Sequence, residues 1–276
     1  MSEKFRAQPV YLLPIFASLV LGFAFTYLSL ALSTETYAVT PFPEGLVGSL
    51  SNGVYFVVLA GVGASILYLL LKRKKLRIIA FVTGFALTAA AFLLSVVYIW
   101  PVLSIFNVAY APIVVLILAA LLTVIFDFVI FRKEGLSYSF TILLLGGALG
   151  AFLGLSIPPL SAVLMLILLG VYDVFDVFRG PVGKIASSGL DRLRGLSLPF
   201  RDVQIGLGDL TFYSMLVSLA LALAGPIYCL FSALGVLVGS FLAFKMLERK
   251  GIFPGLPFPV ALGLVPLLVR FLISSS

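Results

Sequence analysis

Two apolar stretches of the chain each carry an aspartate at a similar position: SAVLMLILLGVYDVFDVF (residues 161–178) contains Asp173, and IGLGDLTFYSMLVSLALA (residues 205–222) contains Asp209. Each is close to the roughly 20 residues that an α-helix needs to cross a bilayer. An ionised carboxylate is costly inside a membrane, so its presence there indicates a function. These two stretches therefore predict membrane-spanning helices that carry a functional site.

The composition of the whole chain supports a membrane protein. Of its 276 residues, 62% are hydrophobic and 11% are charged, and the mean hydropathy is +1.23. A protein of that composition needs lipid to cover its surface. The apolar stretches lack the alternation of β-strands, which favours helices over a barrel.

The sequence predicts an all-α polytopic membrane protein with nine transmembrane helices in one domain, residues 1–276. Helices 1–6 occupy about 9–178, a cytoplasmic loop about 179–202, and helices 7–9 about 203–273. The predicted spans are about 9–31, 48–71, 78–99, 108–131, 137–157, 160–178, 203–223, 226–247 and 253–273. The N-terminal MSEKFRAQ and the long apolar run after it lack the pattern of a cleaved signal peptide.

Positive charge is concentrated on one side of this topology. Every lysine and arginine except Arg270 precedes helix 1 or lies near a connection on that same side. Because cytoplasmic loops retain Lys and Arg, the N-terminus is predicted inside and the C-terminus outside. The net charge of +7 then reflects topology and attraction to anionic lipid, and no nucleic-acid partner is expected.

The residue types that are missing restrict the chemistry. The chain has no histidine and a single cysteine, Cys229, which excludes a histidine zinc site, a Ser–His pair and a disulfide within the chain. No metal and no cofactor are predicted. Carboxylates remain, and those in apolar segments are Asp127, Asp173, Asp176 and Asp209. Asp127 is near Arg132 and a helix end, which favours local pairing over catalysis.

Asp173 and Asp209 are predicted to lie at the same depth in the bilayer. Asp173 is about five residues, or roughly 7 Å, before the cytoplasmic end of helix 6, and Asp209 is about six residues, or roughly 9 Å, after the start of helix 7. Two adjacent carboxyl groups cannot both ionise cheaply, so one holds a proton while the other acts as a base. Such a pair can activate water for peptide hydrolysis. The spacing allows the two carboxyl groups to come into contact.

The residues around both aspartates resemble motifs of the presenilin and signal peptide peptidase family of intramembrane aspartyl proteases. Tyr172-Asp173 matches the family's Tyr-Asp motif, and Gly206-Leu207-Gly208-Asp209 matches its Gly-x-Gly-Asp motif. Pro254-Gly255-Leu256 resembles the third motif, Pro-Ala-Leu, with glycine in place of alanine. A competing alignment of the third motif uses Pro259, Ala261 and Leu262 with an inserted Val260.

This resemblance implies nine transmembrane helices, catalysis by Asp173 and Asp209, and a presenilin-like orientation. It also implies a set of residues that bind substrate or shape the site: Tyr172, Gly206, Leu207, Gly208, Pro254, Gly255 and Leu256. The expected substrates are single-pass transmembrane segments, which would unwind and add as a strand near Pro254-Gly255-Leu256. The short loops indicate a compact prokaryotic enzyme, archaeal by its resemblance, in the cytoplasmic membrane and without an obligate accessory subunit.

Asp176 departs from the family pattern and has two explanations. It could modulate the aspartate pair by like-charge repulsion, but the favoured explanation places it nearer the cytoplasmic water and paired with Arg179. Glycines at four-residue spacing permit close helix contacts, within the bundle in preference to a homodimer. These glycines are Gly146, Gly150 and Gly154 in helix 5, and Gly235 and Gly239 in helix 8.

Two other functions stay open at the level of sequence. Paired intramembrane aspartates also serve ion or proton transporters and leak channels. A family member could also bind transmembrane segments without cutting them. The three motifs together favour the protease.

Overall fold

The chain forms nine helices and one β-hairpin within the residues that the structure describes, 5–34, 38–106, 110–180 and 194–275 of this computed structural model. The helices are α1 (Leu13–Ala31), α2 (Leu46–Lys72), α3 (Leu76–Ile105), α4 (Ala111–Arg132), α5 (Leu136–Ser156), α6 (Pro159–Arg179), α7 (Leu207–Ala224), α8 (Pro226–Lys250) and α9 (Pro257–Ser275). A 3₁₀ turn, Pro9–Leu12, precedes α1. The hairpin, β1 (Ser197–Phe200) and β2 (Val203–Gly206), lies between α6 and α7.

Helices α1 to α8 are each long and apolar enough to cross a membrane. The apolar part of α9, Pro257–Ile273, is shorter than the others. The predicted polytopic helical fold is confirmed. The direction in which it is inserted stays a prediction.

The structure differs from the prediction before α7, where residues 197–206 form a hairpin within an otherwise helical fold. Helix 7 was predicted from about residue 203, but Val203–Gly206 pairs with Ser197–Phe200 as an antiparallel strand. Val203 and Ile205 are buried while Gln204 between them is exposed. These apolar residues belong to a strand of period two, which a count of hydrophobic residues does not separate from a helix.

The start of helix 9 also differs from the prediction, because α9 begins at Pro257 and not at about residue 253. Proline disfavours helical backbone in the residue before it, and prolines stand at positions 254 and 257. Pro257 itself suits the first turn of a helix, where its missing N–H is not needed. Pro254–Leu256 therefore forms a non-helical segment ahead of α9.

At the centre of the bundle lies α7, which packs against α1, α5, α6, α8 and α9. Its closest neighbour is α5, because a Cβ added at Gly150 would lie 2.5 Å from the carbonyl oxygen of Thr211. Gly146 and Gly154 lie against α7 in the same way. The predicted packing of these glycines within the bundle is confirmed.

The glycines of α8 serve a different helix pair, α8 and α9. A Cβ added at Gly235 would lie 2.4 Å from the carbonyl oxygen of Leu262, and one at Gly239 would lie 2.5 Å from the backbone of Phe258. Small residues between membrane helices allow the two backbones to come this close. It holds α9, and the segment that precedes it, against α8.

Buried hydroxyl groups join α1 to α7. The Oγ atoms of Ser18 and Ser214 lie 3.0 Å apart, and Thr26 donates to the Oγ of Ser218 over 2.7 Å. In membrane proteins such bonds each contribute about 0.6 kcal/mol on average. They specify the rotation of α7 about its axis, and therefore the direction in which Asp209 points.

Candidate active site

The structure brings Asp173 and Asp209 to one short segment, Gly255–Leu256. Asp173, near the end of α6, accepts a hydrogen bond at Oδ2 from the backbone N–H of Leu256 over 2.9 Å. Asp209, in the first turn of α7, has its carboxylate against Gly255, where an added Cβ would lie 2.9 Å from Oδ2 and 3.3 Å from Oδ1. Two acidic groups from different helices thus lie at neighbouring residues of one segment.

The three residues before Asp209 in the Gly-x-Gly-Asp motif differ in how they contribute to its position. The carboxylate interacts with the backbone N–H of Gly206, and a Cβ there would lie 3.3 Å from Oδ2. The side chain of Leu207 packs against Gly146 of α5, so Leu207 anchors the start of α7. Gly208 is exposed and makes no close contact. Of the two motif glycines, Gly206 is the one next to the carboxyl group.

The segment Pro254–Leu256 is held from α7 as well as from α6. Tyr213 donates a hydrogen bond from its hydroxyl to the carbonyl oxygen of Gly255 over 2.8 Å, and Pro254 and Leu256 are both buried. The competing alignment at Pro259 falls within α9, where Pro259 lies against Gly239.

Sequence reasoning missed the role of Tyr213. The signal was its spacing, because a residue four positions after Asp209 lies on the same face of a helix, one turn further on. Its partner is 42 residues away along the chain. That separation is why the hydrogen bond could not be predicted.

Tyr172 and Asp176 lie beside the aspartate pair. Asp176 is buried, with 4% of its surface exposed, and its position nearer the cytoplasmic water and its pairing with Arg179 stay predictions. The Tyr172 hydroxyl interacts with Asp176, and a Cβ added at Gly61 of α2 would lie 3.2 Å from it. Tyr172 therefore belongs to the contact between α2 and α6. Asp176 is one helical turn from Asp173 and interacts with it electrostatically.

A cavity of about 100 Å³ lies beside Asp209. Among the residues that line it are Gln204 of β2, Tyr213 and the segment Pro254–Gly255. A volume of this size can hold several water molecules, and the site has polar groups to bind them. Across the described parts of the chain, no three His, Cys, Asp or Glu side chains come together as a metal site would require.

Fold and site together define a helical membrane protein with two carboxyl groups at one buried segment. No protein-family model matches the chain, and no curated protein does. Two solved structures of a presenilin family intramembrane aspartate protease, in space groups C222 and P2, are similar to it with TM-scores of 0.66 and 0.64. Each match covers 95% of this chain, and 97% and 96% of theirs, at 20% sequence identity. The chain therefore has the presenilin fold.

Proposed function

We propose that this protein is an intramembrane aspartyl protease of the Gly-x-Gly-Asp type, which hydrolyses peptide bonds within transmembrane segments of single-pass proteins. The observation that carries the proposal is the meeting of Asp173 and Asp209 at Gly255–Leu256. The similarity of fold to a presenilin family protease over nearly the whole chain supports it.

In the proposed reaction, the two carboxyl groups share one proton. The ionised aspartate takes a proton from a water molecule, which attacks the scissile carbonyl carbon while the protonated aspartic acid donates a hydrogen bond to the carbonyl oxygen. The gem-diol intermediate then collapses, the C–N bond breaks, and the leaving amine takes up a proton. The cavity beside Asp209 offers a place for the water.

The hairpin offers the substrate only one suitable edge, which is that of β2. In an antiparallel pair, successive residues of a strand point their backbone groups alternately toward the partner strand and away from it. Because the N–H of Leu207 donates to the carbonyl oxygen of Leu196, the backbone groups of Ser197 and Pro199 in β1 point away from β2. Tyr138 already donates to the Ser197 carbonyl oxygen over 2.8 Å. Pro199 has no N–H to give, as is typical of a strand edge protected against pairing.

The outward residues of β2 are Gln204 and Gly206, and the backbone N–H of Gly206 interacts with the Asp209 carboxylate. Gln204 and Gly255 both line the cavity beside Asp209. A substrate held in helical form hides its carbonyl groups in internal hydrogen bonds, so it has to unwind before hydrolysis. An extended substrate segment fits between β2 and Pro254–Leu256, where strand pairing would keep it unwound.

We further propose that the N-terminus lies in the cytoplasm and the C-terminus outside, in a prokaryotic cell membrane. The distribution of lysine and arginine supports this orientation. Substrates with an external N-terminus would then present the matching polarity. The enzyme is expected to work as a single chain, and purified protein that cleaves only after another protein is added would contradict that.

The test is cleavage of a labelled single-pass substrate by purified full-length protein in liposomes, with the substrate inserted in both orientations. Asp173→Asn and Asp209→Asn are each expected to lower kcat at least about a thousandfold, because either change removes an acid or base of the pair. Asp127→Asn is the matched control. It is also an aspartate within a helix, but it accepts a hydrogen bond from Thr88 of α3, away from the pair.

Three other results would count against the proposal. Cleavage that persists in both variants would assign the activity to other residues. A wild-type protein that moves protons or cations across the liposome membrane without cleaving, and loses this transport in Asp209→Asn, would favour a transporter. Substrate that binds and stays intact would favour a protein that only holds transmembrane segments.

A further inference from the structure

Arg194 connects the base of the hairpin to the end of α4. Its Nε donates to the carbonyl oxygen of Ile130 over 2.6 Å, and its Nη2 donates to the carbonyl oxygen of Lys133. These carbonyls belong to the last turn and the C-cap of α4, where no partner within the helix is left for them. Its Nη1 also lies 3.6 Å from the carboxylate of Glu134. One guanidinium group thus makes three contacts at this helix end.

Tyr138, in the first turn of α5, holds the same segment from the other side. Its hydroxyl accepts a hydrogen bond from the N–H of Gly195 over 3.0 Å and donates to the carbonyl oxygen of Ser197 over 2.8 Å. The Arg194 guanidinium lies 5.7 Å from the centre of its ring, within the range of a cation–π interaction.

Gly195 fits this arrangement for two reasons. Its φ of +89° is costly for other residues, and an added Cβ would lie 2.3 Å from the side chain of Leu87 in α3. The hairpin base is therefore enclosed by α3, α4 and α5 together.

Backbone and hydrogen bonds connect the base of the hairpin directly to the helix turn that carries Asp209. Leu196, next to Gly195, accepts a hydrogen bond from the N–H of Leu207 over 2.9 Å. Leu207 is the first residue of α7, and Asp209 lies in the same turn. A displacement of Arg194 would thus reach the catalytic aspartate through Gly195 and Leu196, one backbone hydrogen bond, and the first two residues of α7.

We propose that Arg194 and Tyr138 are positioning residues, which fix the hairpin and the first turn of α7 so that Asp209 stays opposite Asp173. The proposal rests on the proposed function for its effect on catalysis. Its structural part, the fixing of residues 196–209, does not. Arg194 suits this role because its planar fork reaches two carbonyl groups at once, which a lysine cannot do.

The test compares hydrogen–deuterium exchange with steady-state kinetics, on full-length protein in liposomes. The variants are Arg194→Gln, Arg194→Lys and Tyr138→Phe. Lys245→Gln is the control, because it also removes one positive charge near the end of a helix. Lys245 lies in α8, where it pairs with Glu248 over 3.2 Å. The thermal unfolding curve of each variant gives its unfolding temperature and the fraction of protein that is folded at the assay temperature.

Arg194→Gln and Tyr138→Phe are expected to speed exchange at the amides of residues 196–209. They should lower kcat per folded molecule by about tenfold, with a smaller change in KM, because a small displacement of a reacting group has an effect of this size or larger. Arg194→Lys should fall between wild type and Arg194→Gln, and Lys245→Gln should match wild type in both measurements.

Unchanged exchange at residues 196–209 in Arg194→Gln would overturn the proposal, and so would an equal effect of Lys245→Gln. A lower unfolding temperature with normal kcat would also overturn it, since the contacts would then serve stability alone. If wild-type protein cleaves nothing, the proposed function fails. The exchange rates then still decide whether Arg194 and Tyr138 hold the start of α7.

Discussion

Helices α6 and α7 each carry one aspartate of the pair, yet they are held in different ways. Five other helices surround α7, whose Leu210, Met215 and Leu216 are completely buried. By contrast, α6 packs chiefly against α2 and α9 and leaves Val171 65% and Phe175 56% exposed.

The comparison shows that one aspartate is carried by a helix of the core and the other by a helix at its margin. The position of Asp209 follows from close packing and from the anchored hairpin. Asp173 lies on a helix with fewer neighbours, and its carboxylate is held by the N–H of Leu256. Under the proposed function the substrate approaches from the membrane, and we expect it to enter along α6. Each prediction below tests one part of this difference.

The largest effect is expected from one methyl group added beside α7. In Gly150→Ala the new Cβ would lie 2.5 Å from Ser214 and from the carbonyl oxygen of Thr211, so α5 has to move away. We expect a loss of about 3 kcal/mol in the free energy of unfolding, as for an overpacked core. Unfolding in detergent measures it.

Gly170→Ala in α6 is the matched change at the margin. Its Cβ would meet nothing closer than 3.8 Å, at Pro257. The stability should therefore change by less than about 1 kcal/mol, the size of the helix propensity difference. Equal losses in the two variants would show that α6 is packed as tightly as α7, contrary to the comparison.

The next effect is expected at the segment between the two helices. Gly255→Ala places a Cβ 2.9 Å from Oδ2 of Asp209, and the carboxylate, as the end of a side chain, can turn away at little cost to the fold. We expect kcat to fall about tenfold or more with the unfolding temperature nearly unchanged. Kinetics beside thermal unfolding measure both.

Gly63→Ala, with nothing within 4 Å of its Cβ, is the control for this substitution. It should leave cleavage unchanged. Full activity of Gly255→Ala would show that the chain does not need glycine at the position where the family pattern has alanine.

The smallest effect is expected from the hydroxyl that joins α7 to this segment. Tyr213→Phe removes the hydrogen bond to the Gly255 carbonyl oxygen, which costs about 1 kcal/mol and lowers kcat about fivefold. Tyr98→Phe is the control, because it removes a similar buried bond to the carbonyl oxygen of Ala148, away from the aspartates. If the two variants lost the same activity, Tyr213 would have no particular part in placing Gly255.

Much of the fold was predictable because the information is local. The spans follow from hydrophobicity summed over each stretch, and the aspartates stand out because their neighbours are apolar. The glycine spacing in α5 predicted close packing for the same reason, since residues four apart share a helix face. The hairpin at residues 197–206 was not predicted, because its apolar residues add to a hydropathy sum whether they form a strand or a helix.

By itself, the sequence determined a chain that must span a membrane many times and must carry Asp173 and Asp209 in apolar surroundings, because hydrophobicity and charge belong to each residue. Only the tertiary structure decided which backbone groups those aspartates meet. The bond from Leu256 to Asp173 joins residues 83 apart, and that from Arg194 to Ile130 joins residues 64 apart. Contacts over such distances depend on how helices pack, a property of the whole bundle that no local pattern contains.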